Sequence, residues 1–394
     1  MAASKNKNLT LILDVGSGSV GGALVLLDKK NNGKVKLLYN FRQPIKLLGD
    51  WNFDKFLEET INALEIVCKK IESQKIGAPE NIHCFLASPW FVTQTRIIKF
   101  AKEKPFVITK KIITELSQKE INNFESFYMK DGNYFGESHK IIDQELLEVK
   151  LNGYKILNPF DILKKIGQVK SIEMALFLSI APEKILNQVN NEINKFYSAE
   201  IFFSSFLLPS FALSRDMFSD TSSFMLMDIA GEIADVSLIK SDILIQNNSF
   251  PLGKNFLISS ISKSLGKNLS DSETLLDLYL DNQIEKKLAE KLEIILNSCQ
   301  KEWVRAFQNS LHNLSNHSIS LPSKIIVSAD SDVAPWFAKA IKSDHWGQYQ
   351  LAQEKFDVIM LDEQKLSKLS EVAYGVKKDL FLLLETVYLS RHNN

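Results

Sequence analysis

An internal echo in the sequence constrains the fold more than any other feature. Near its start the chain reads Leu9-Thr-Leu-Ile-Leu-Asp14-Val-Gly16-Ser17-Gly18-Ser19, followed by an apolar stretch from Ala23 to Leu27. Beyond Ser223 it reads Phe224-Met-Leu-Met-Asp228-Ile-Ala230-Gly231-Glu232, followed by a second apolar stretch from Val236 to Ile239. In each copy a short apolar strand ends at an aspartate, small residues make a tight turn, and a second strand returns. A third strand follows in both, Val35–Phe41 and Ile243–Phe250, then a helix, Phe53–Ile71 and Asn255–Leu265. Each copy closes with a further apolar strand, Ile82–Ala87 and Lys324–Val327. Three hairpin-linked strands, a helix and another strand, used twice, predict an α/β chain of two similar mixed-sheet lobes. Asp14 and Asp228 are expected to face one cleft from opposite sides.

Insertions distinguish the two halves. Between Ser88 and about Val169, Thr93–Phe100 and Leu146–Leu151 alternate as strands do, and Thr109–Phe124 has helical period. This predicts a small α+β subdomain, after which Lys170–Ile180 and a helix opened by Ala181-Pro182 resume the first lobe. Ser270–Asn313 is helical in pattern almost throughout, with capping-box spacing from Ser270 to Glu273. The expected division is residues 1–87 and 170–218 for the first lobe, and 88–169 for its inserted subdomain. The second lobe takes 219–268 and 314–394, with a helical insertion at 269–313. At 394 residues the chain is long enough for two cores of ordinary size.

Lys plus Arg and Asp plus Glu are both 47, so no basic excess points to nucleic acid as a partner. Cys68, Cys84 and Cys299 lie far apart in apolar segments, so they are expected as buried thiols. The six histidines form no ligand or triad spacing. The polar start from Met1 to Asn8 lacks the apolar core of a signal peptide, and no run reaches a membrane-spanning length.

The chemistry sits in the turns. Gly and Ser in a tight turn expose backbone N–H groups and hydroxyls that form an anion-binding concavity, and an aspartate beside it can hold the water of a bound Mg²⁺. On these residues the chain resembles the superfamily of actin, heat-shock chaperones and sugar kinases, and within it the FtsA and PilM branch. Asp14, Gly16, Ser17 and Ser19 match its first phosphate loop. Asp228, Gly231 and Asp235 match parts of the second, and Gly253 the glycine after the third strand. Pro209–Ala212 and Val372–Gly375 look like the two connecting segments of FtsA, and Asn152-Gly-Tyr154 with Asn158-Pro159 like the motif closing its subdomain. The resemblance implies ATP and Mg²⁺ as ligands, with Asp14 and Asp228 as metal and catalytic candidates. It implies Asp14, Gly16, Ser17, Gly18, Ser19, Asp228, Gly231, Gly253, Ser328 and Asp330 as the nucleotide contacts.

The pattern also departs from the family. The second loop, Asp228-Ile-Ala-Gly-Glu-Ile-Ala-Asp235, has lost both threonines and gained Glu232; the adenosine segment, Ser328-Ala-Asp-Ser-Asp332, has no glycine. A carboxylate about 5 Å from a phosphate charge costs about 3 kcal/mol at an effective dielectric near 20, so Glu232 and Asp330 are expected to weaken ATP by about two to three decades. The implied function is an FtsA-like cytoplasmic scaffold of cell division or envelope assembly with weak or absent ATPase activity. The alternatives are a PilM-like adaptor of type IV pilus or secretion assembly and an active ATPase or kinase. Its partners would be proteins of such a machine, or further copies of itself, at the inner face of the membrane and touching it indirectly.

Two further expectations concern packing. Trp90, Phe91, Tyr128, Tyr134 and Phe135 are read as subdomain core rather than a binding surface. The run Asp379–Leu389, poor in basic residues, is read as a helix packed on the second lobe rather than a membrane-surface helix. Lys29–Gly33 reads as a hairpin tip.

Overall fold

The computed structural model describes residues 7–28, 35–49, 52–130, 138–156, 167–315, 320–343, 355–367 and 369–392. Lys29–Gly33, Tyr134, Phe135 and Asn158-Pro159 lie outside them. Two sheets carry the echo. In the first, β1 (Lys7–Val15) pairs antiparallel with β2 (Ser19–Asp28) and β2 antiparallel with β3 (Val35–Pro44). On its other side β1 pairs parallel with β4 (Asn81–Leu86), and β4 with β9 (Glu200–Ser205). The second sheet repeats this order with β10 (Phe224–Ile229), β11 (Ala234–Lys240), β12 (Ile243–Phe250), β13 (Lys324–Ala329) and β14 (Asp357–Met360). Both aspartates end the central strand of their sheet. Leu11, Ile12 and Leu13 are fully buried and all of β10 is buried, as continuous apolar runs in strands covered on both faces require.

Helix α1 (Phe53–Glu72) shows why sequence periodicity located these elements. Phe56, Leu57, Thr60, Ala63, Leu64, Val67, Cys68 and Ile71 recur at helical spacing and are buried against β2 and β3. Asn52 caps it, its side chain accepting from the Lys55 N–H at 3.0 Å. All three cysteines are buried thiols, and burial pushes Cys68 up to about 12.

A third, antiparallel sheet forms the insertion, in the order β5 (Val92–Val107), β8 (Gln168–Pro182), β6 (His139–Leu151), β7 (Tyr154–Ile156), with α2 (Lys110–Lys130) packed against it. Here the structure corrects the sequence reading. Lys170–Ile180 does not resume the first sheet: it lies in β8, paired on both sides within the third. The chain re-enters the first lobe through α3 (Glu183–Ile193) and β9. Trp90 and Phe91 are buried in the first-lobe core rather than in that of the subdomain.

After α4 (Leu207–Met217) and the second three-stranded hairpin come α5 (Lys254–Leu265), α6 (Leu269–Leu280) and α7 (Lys286–Ser315). The cap of α6 is Asn268 rather than Ser270: its side chain accepts from Asp271 N–H at 2.8 Å and donates to the Asp271 carboxylate at 3.0 Å. Following α8 (Ala334–Lys342) and α9 (Glu363–Ser367), the short β15 (Ser370–Val372) pairs parallel with β3 at the edge of the first sheet.

That pairing overturns the expectation for the last helix, α10 (Leu380–His392). It packs in the core of the first lobe, against α4, β1, β2 and β3, and not on the second. Leu382, Leu383, Leu384, Thr386, Val387 and Leu389 are buried around most of its circumference, and a helix apolar on all sides needs cover on all sides. Phe224, Leu226, Ile239, Leu244 and Ile326 of the second sheet join the same core, so the two sheets are fastened together through it. Among the described residues no helix is long and apolar enough to cross a membrane. Leu383→Ala should cost about 2–5 kcal/mol of stability, read as a lower urea midpoint. A cost under about 0.5 kcal/mol would mean that α10 is not core.

Candidate functional site

Each turn is built by its own hairpin. Asp14 stands opposite Gly21 of β2 and Phe85 of β4, and the turn after it closes with Gly16 N–H donating to Ser19 O at 3.1 Å. Trp90 braces this turn from behind: its indole N–H donates to Gly16 O at 3.1 Å, and its ring stacks on Phe56 with centroids 5.1 Å apart. Asp228 stands opposite Asp235 of β11 and Ser328 of β13. The second turn rests on the start of α5, where Lys254 and Asn255 N–H donate to Ala230 O and Gly231 O at 3.0 and 2.8 Å.

The two turns touch. A Cβ added to Gly231 would overlap the Cα and N of Gly18, so main chain packs on main chain. Glu232 N–H donates to Ser17 Oγ across the contact at 3.0 Å. What remains is a cavity of about 30 Å³ lined by Asp14, Gly16, Ser17, Gly18, Ser19, Asp228, Ala230, Gly231 and Asp330, with Arg42 and Phe381 among its other walls. That is room for one or two waters.

Arg42, near the C-terminal end of the first lobe's β3, fills the place beside Asp14. Its Nη2 donates to Asp14 at 2.8 Å and to Asp379 at 2.9 Å, its Nε to Asp379 at 2.6 Å, and its Nη1 to Ser19 Oγ at 3.0 Å. The guanidinium lies 5.3 Å from the centre of the Phe381 ring. Gly21 makes room for it, since a Cβ there would stand 2.6 Å from Nη2. Beyond this group opens a wide cleft of about 1050 Å³, also lined by Lys254, Asp332, Glu363 and Lys378. Arg42, Asp330 and Phe381 line both spaces and form the partition between them.

The charges follow from burial. Burial pushes the Asp14 carboxyl up against the pull of Arg42. It acts the same way on Asp379, but there Arg42 and the N–H groups of Leu382 and Phe381 outweigh it and hold the carboxyl below its usual range. Burial pushes Asp228 up to about 8, although Ser328 Oγ donates to it at 2.6 Å. Asp235, also raised by burial, accepts from Ser249 Oγ. Asp330 is raised by burial and drawn back by Lys254, which lies 3.9 Å from it and 2.6 Å from Asp332.

Of the residues proposed from sequence, Asp14, Gly16, Ser17, Gly18, Ser19, Asp228, Gly231 and Asp330 meet around one cavity. Ser328 stands behind them on Asp228, and Gly253 opens α5, its N–H donating to Glu232 O at 3.1 Å. Glu232 does not line the cavity: Asn255 Nδ2 donates to its carboxylate at 2.8 Å. Its charge is therefore turned away from the cavity and onto Asn255, contrary to the repulsion expected from the sequence. As they stand the turns do not fit a phosphate chain or its metal. The space is water-sized, the Asp14 carboxylate is taken by Arg42, and four hydrogen bonds already occupy the guanidinium. Among the described residues no group of three or more His, Cys, Asp or Glu is placed to hold a metal ion. Arg42 and Asp379 were missed from sequence. The available signal was an arginine near the end of the third strand, at the place where it pairs with Gly21.

No protein-family model and no curated protein matches the chain. Among solved structures it is similar to one described as the PilM-PilN type IV pilus biogenesis complex. That match has 11% identity over 97% of this chain and 96% of the other, with a TM-score of 0.60. It is also similar to the ethanolamine utilization protein EutJ from Carboxydothermus hydrogenoformans (9% identity, 99% and 91% covered, TM-score 0.40). A protein of actin-like ATPase fold and unknown function from Bacteroides thetaiotaomicron aligns at 10% identity, 91% and 92% covered, TM-score 0.38. At these identities the likeness speaks to the fold, and the fold of this chain is actin-like.

The buried Asp228 makes stability depend on pH in a stated direction. Between an unfolded value near 3.8 and a folded value of about 8, the folded chain keeps a proton that the unfolded chain releases, so stability falls as pH rises through that window. Asp228→Asn should flatten the decline, gaining at least about 1 kcal/mol on the wild type at pH 7.5 relative to pH 5 in urea titrations. Parallel profiles for the two proteins would show that Asp228 is ionised in the folded state.

Proposed function

We propose that this chain is a cytoplasmic actin-fold adaptor of an envelope assembly, of the PilM kind, that works by holding a protein segment and not by turning over ATP. The observation that carries this reading is the contact between the two turns, with Arg42 bonded to Asp14 where an ATPase of this fold would need phosphate and metal. Hydrolysis needs an oriented water and a bound phosphate together, and a water-sized cavity leaves no space for the phosphate.

Similarity to PilM across 97% of the chain favours a pilus or secretion setting over a division scaffold of FtsA type. A second cleft, of about 610 Å³, is the candidate seat for a partner segment. It runs between β6 and β7 of the inserted sheet and the helices α4 and α10, with Leu147, Ile156, Leu208, Arg215 and Tyr388 among its walls. Its mixed apolar and charged lining suits an extended peptide with alternating side chains. The adaptor would then sit at the inner face of the membrane through that partner.

Calorimetric titration with Mg-ATP up to about 1 mM should give no binding heat, and phosphate release should stay at the buffer rate. Micromolar binding with steady turnover would make the chain an enzyme, with Asp14 and Asp228 as its catalytic candidates. Arg42→Ala should cost about 2–3 kcal/mol by stranding two carboxylates, without creating ATPase activity. Peptides selected from a displayed library on the wild-type protein should bind at least tenfold more weakly to Leu147→Asp with Ile156→Asp. Equal binding would move the partner site away from this cleft.

A further inference from the structure

The far end of the inserted sheet carries a concentration of lysine that the fold does not need. In β5 the pairing with β8 breaks between Ala101, opposite Ser171, and Phe106, opposite Val169. Lys102, Glu103, Lys104 and Pro105 therefore stand against Lys170 alone and bulge from the edge strand. Lys99 precedes the bulge, and Lys110 and Lys111 follow it at the start of α2; all six lysines are exposed. Among the described residues three glutamates, Glu103, Glu115 and Glu173, accompany these six lysines, an excess of three positive charges on a chain whose formal net charge is zero.

Ion pairing does not explain the cluster. Lys99 reaches Glu173 at 3.7 Å and Lys111 reaches Glu115 at 3.8 Å, both open to solvent and worth little. Among the described residues Lys102, Lys104 and Lys170 have no carboxylate within 4.0 Å. Protection of an edge strand accounts for a bulge with lysine and proline. It does not account for Lys110 and Lys111, which open a helix with no acidic residue in its first turn, where the helix dipole disfavours cations. Nor does it account for Lys170, on an inner strand. The charge is interleaved with apolar surface. The Lys102 ammonium lies 5.5 and 5.4 Å from the centres of the Phe100 and Phe106 rings, and Val107 is 56% exposed.

We propose that this end of the inserted sheet docks on an anionic lipid surface, its lysines among the headgroups and Val107 at the edge of the acyl region. The cations are all lysine, point charges suited to a diffuse anionic plane; the fork of arginine, which reads single phosphates and base edges, is absent. An excess of three charges gives reversible attachment, with each net lysine contributing about fivefold in partition. The surface lies on the insertion and makes no use of the cleft between the turns, so it does not rest on the adaptor reading.

Sedimentation of the full chain with vesicles tests it. Vesicles of phosphatidylcholine with about 30% phosphatidylglycerol should bind at least tenfold more tightly than phosphatidylcholine alone, and added salt should weaken that binding. Lys102→Glu with Lys104→Glu should lower binding at least tenfold with an unchanged circular dichroism spectrum. Lys286→Glu with Lys287→Glu, on α7, should leave it unchanged. The proposal is overturned by equal binding to both vesicles, by no binding to either, or by full binding of the Lys102/Lys104 variant. Binding to soluble polyglutamate without binding to anionic vesicles also overturns it, and points to an acidic polypeptide instead.

Discussion

The guanidinium of Arg42 joins parts of the chain that are far apart in sequence. Asp14 lies at the end of β1, Ser19 opens β2, and Asp379 lies 337 residues beyond Arg42 at the start of α10. The Asp379 carboxylate does double duty, since it also accepts from the Leu382 N–H at 3.1 Å as the cap of that helix. The position of α10 in the first lobe, the pairing of β15 with β3 and the filling of the cleft beside Asp14 are thus tied to one charged group. Such charge-assisted, partly buried bonds are about twice as strong as neutral ones, and removing one member strands its partners in a poorly solvated place.

This arrangement changes the reason why the cleft is unsuited to a nucleotide. Repulsion by Glu232 and Asp330 depends on side-chain directions that the sequence does not give. Glu232 turns onto Asn255 and Asp330 is offset by Lys254. What excludes the phosphate is contact between backbones at Gly18 and Gly231, together with a cation already seated on Asp14. The loss of glycines and threonines from the second turn remains meaningful in a different sense. With no phosphate to cradle, the turn needs only the one glycine that lets it lie against the first.

The repeated hairpins were legible because their signal is local. An apolar run ending at Asp, a turn of small residues and a returning strand fix period, direction and register within about twenty residues of chain. The ends of β3, α1, β12 and α5 fell within a few residues of expectation for the same reason. What was not legible depends on pairing at a distance. Lys170–Ile180 has the alternation of a strand, and nothing in it says which sheet it joins; its partners are β5 and β6. The last helix follows the second lobe in sequence, yet β15 carries the chain back to β3. Arg42 illustrates the same limit at the site. A single arginine in a strand is ordinary, and its meaning comes from Asp379, which no spacing rule connects to it.

The charge balance of the closed cleft explains how so acidic a site persists. Asp14, Asp228, Asp330, Asp332, Asp379 and Glu385 surround it or lie just behind it, and among the described residues Arg42 and Lys254 are the cations paired with them. Two positive charges cannot compensate six carboxylates in a poorly solvated space. Glu385 is the extreme case: it is fully buried within α10, and neither of its oxygens has a hydrogen-bond partner. Burial pushes its carboxyl well up, and the nearby Asp14 and Asp379 push it further than Arg42 can draw it back. Burial raises both Glu385 and Asp228 and so favours their neutral forms, which lessens the negative charge that Arg42 and Lys254 face. Admitting a phosphate chain would add negative charge and require Arg42 to give up its bonds to Asp14 and Ser19, loosening the group that ties β1 and β2 to the start of α10.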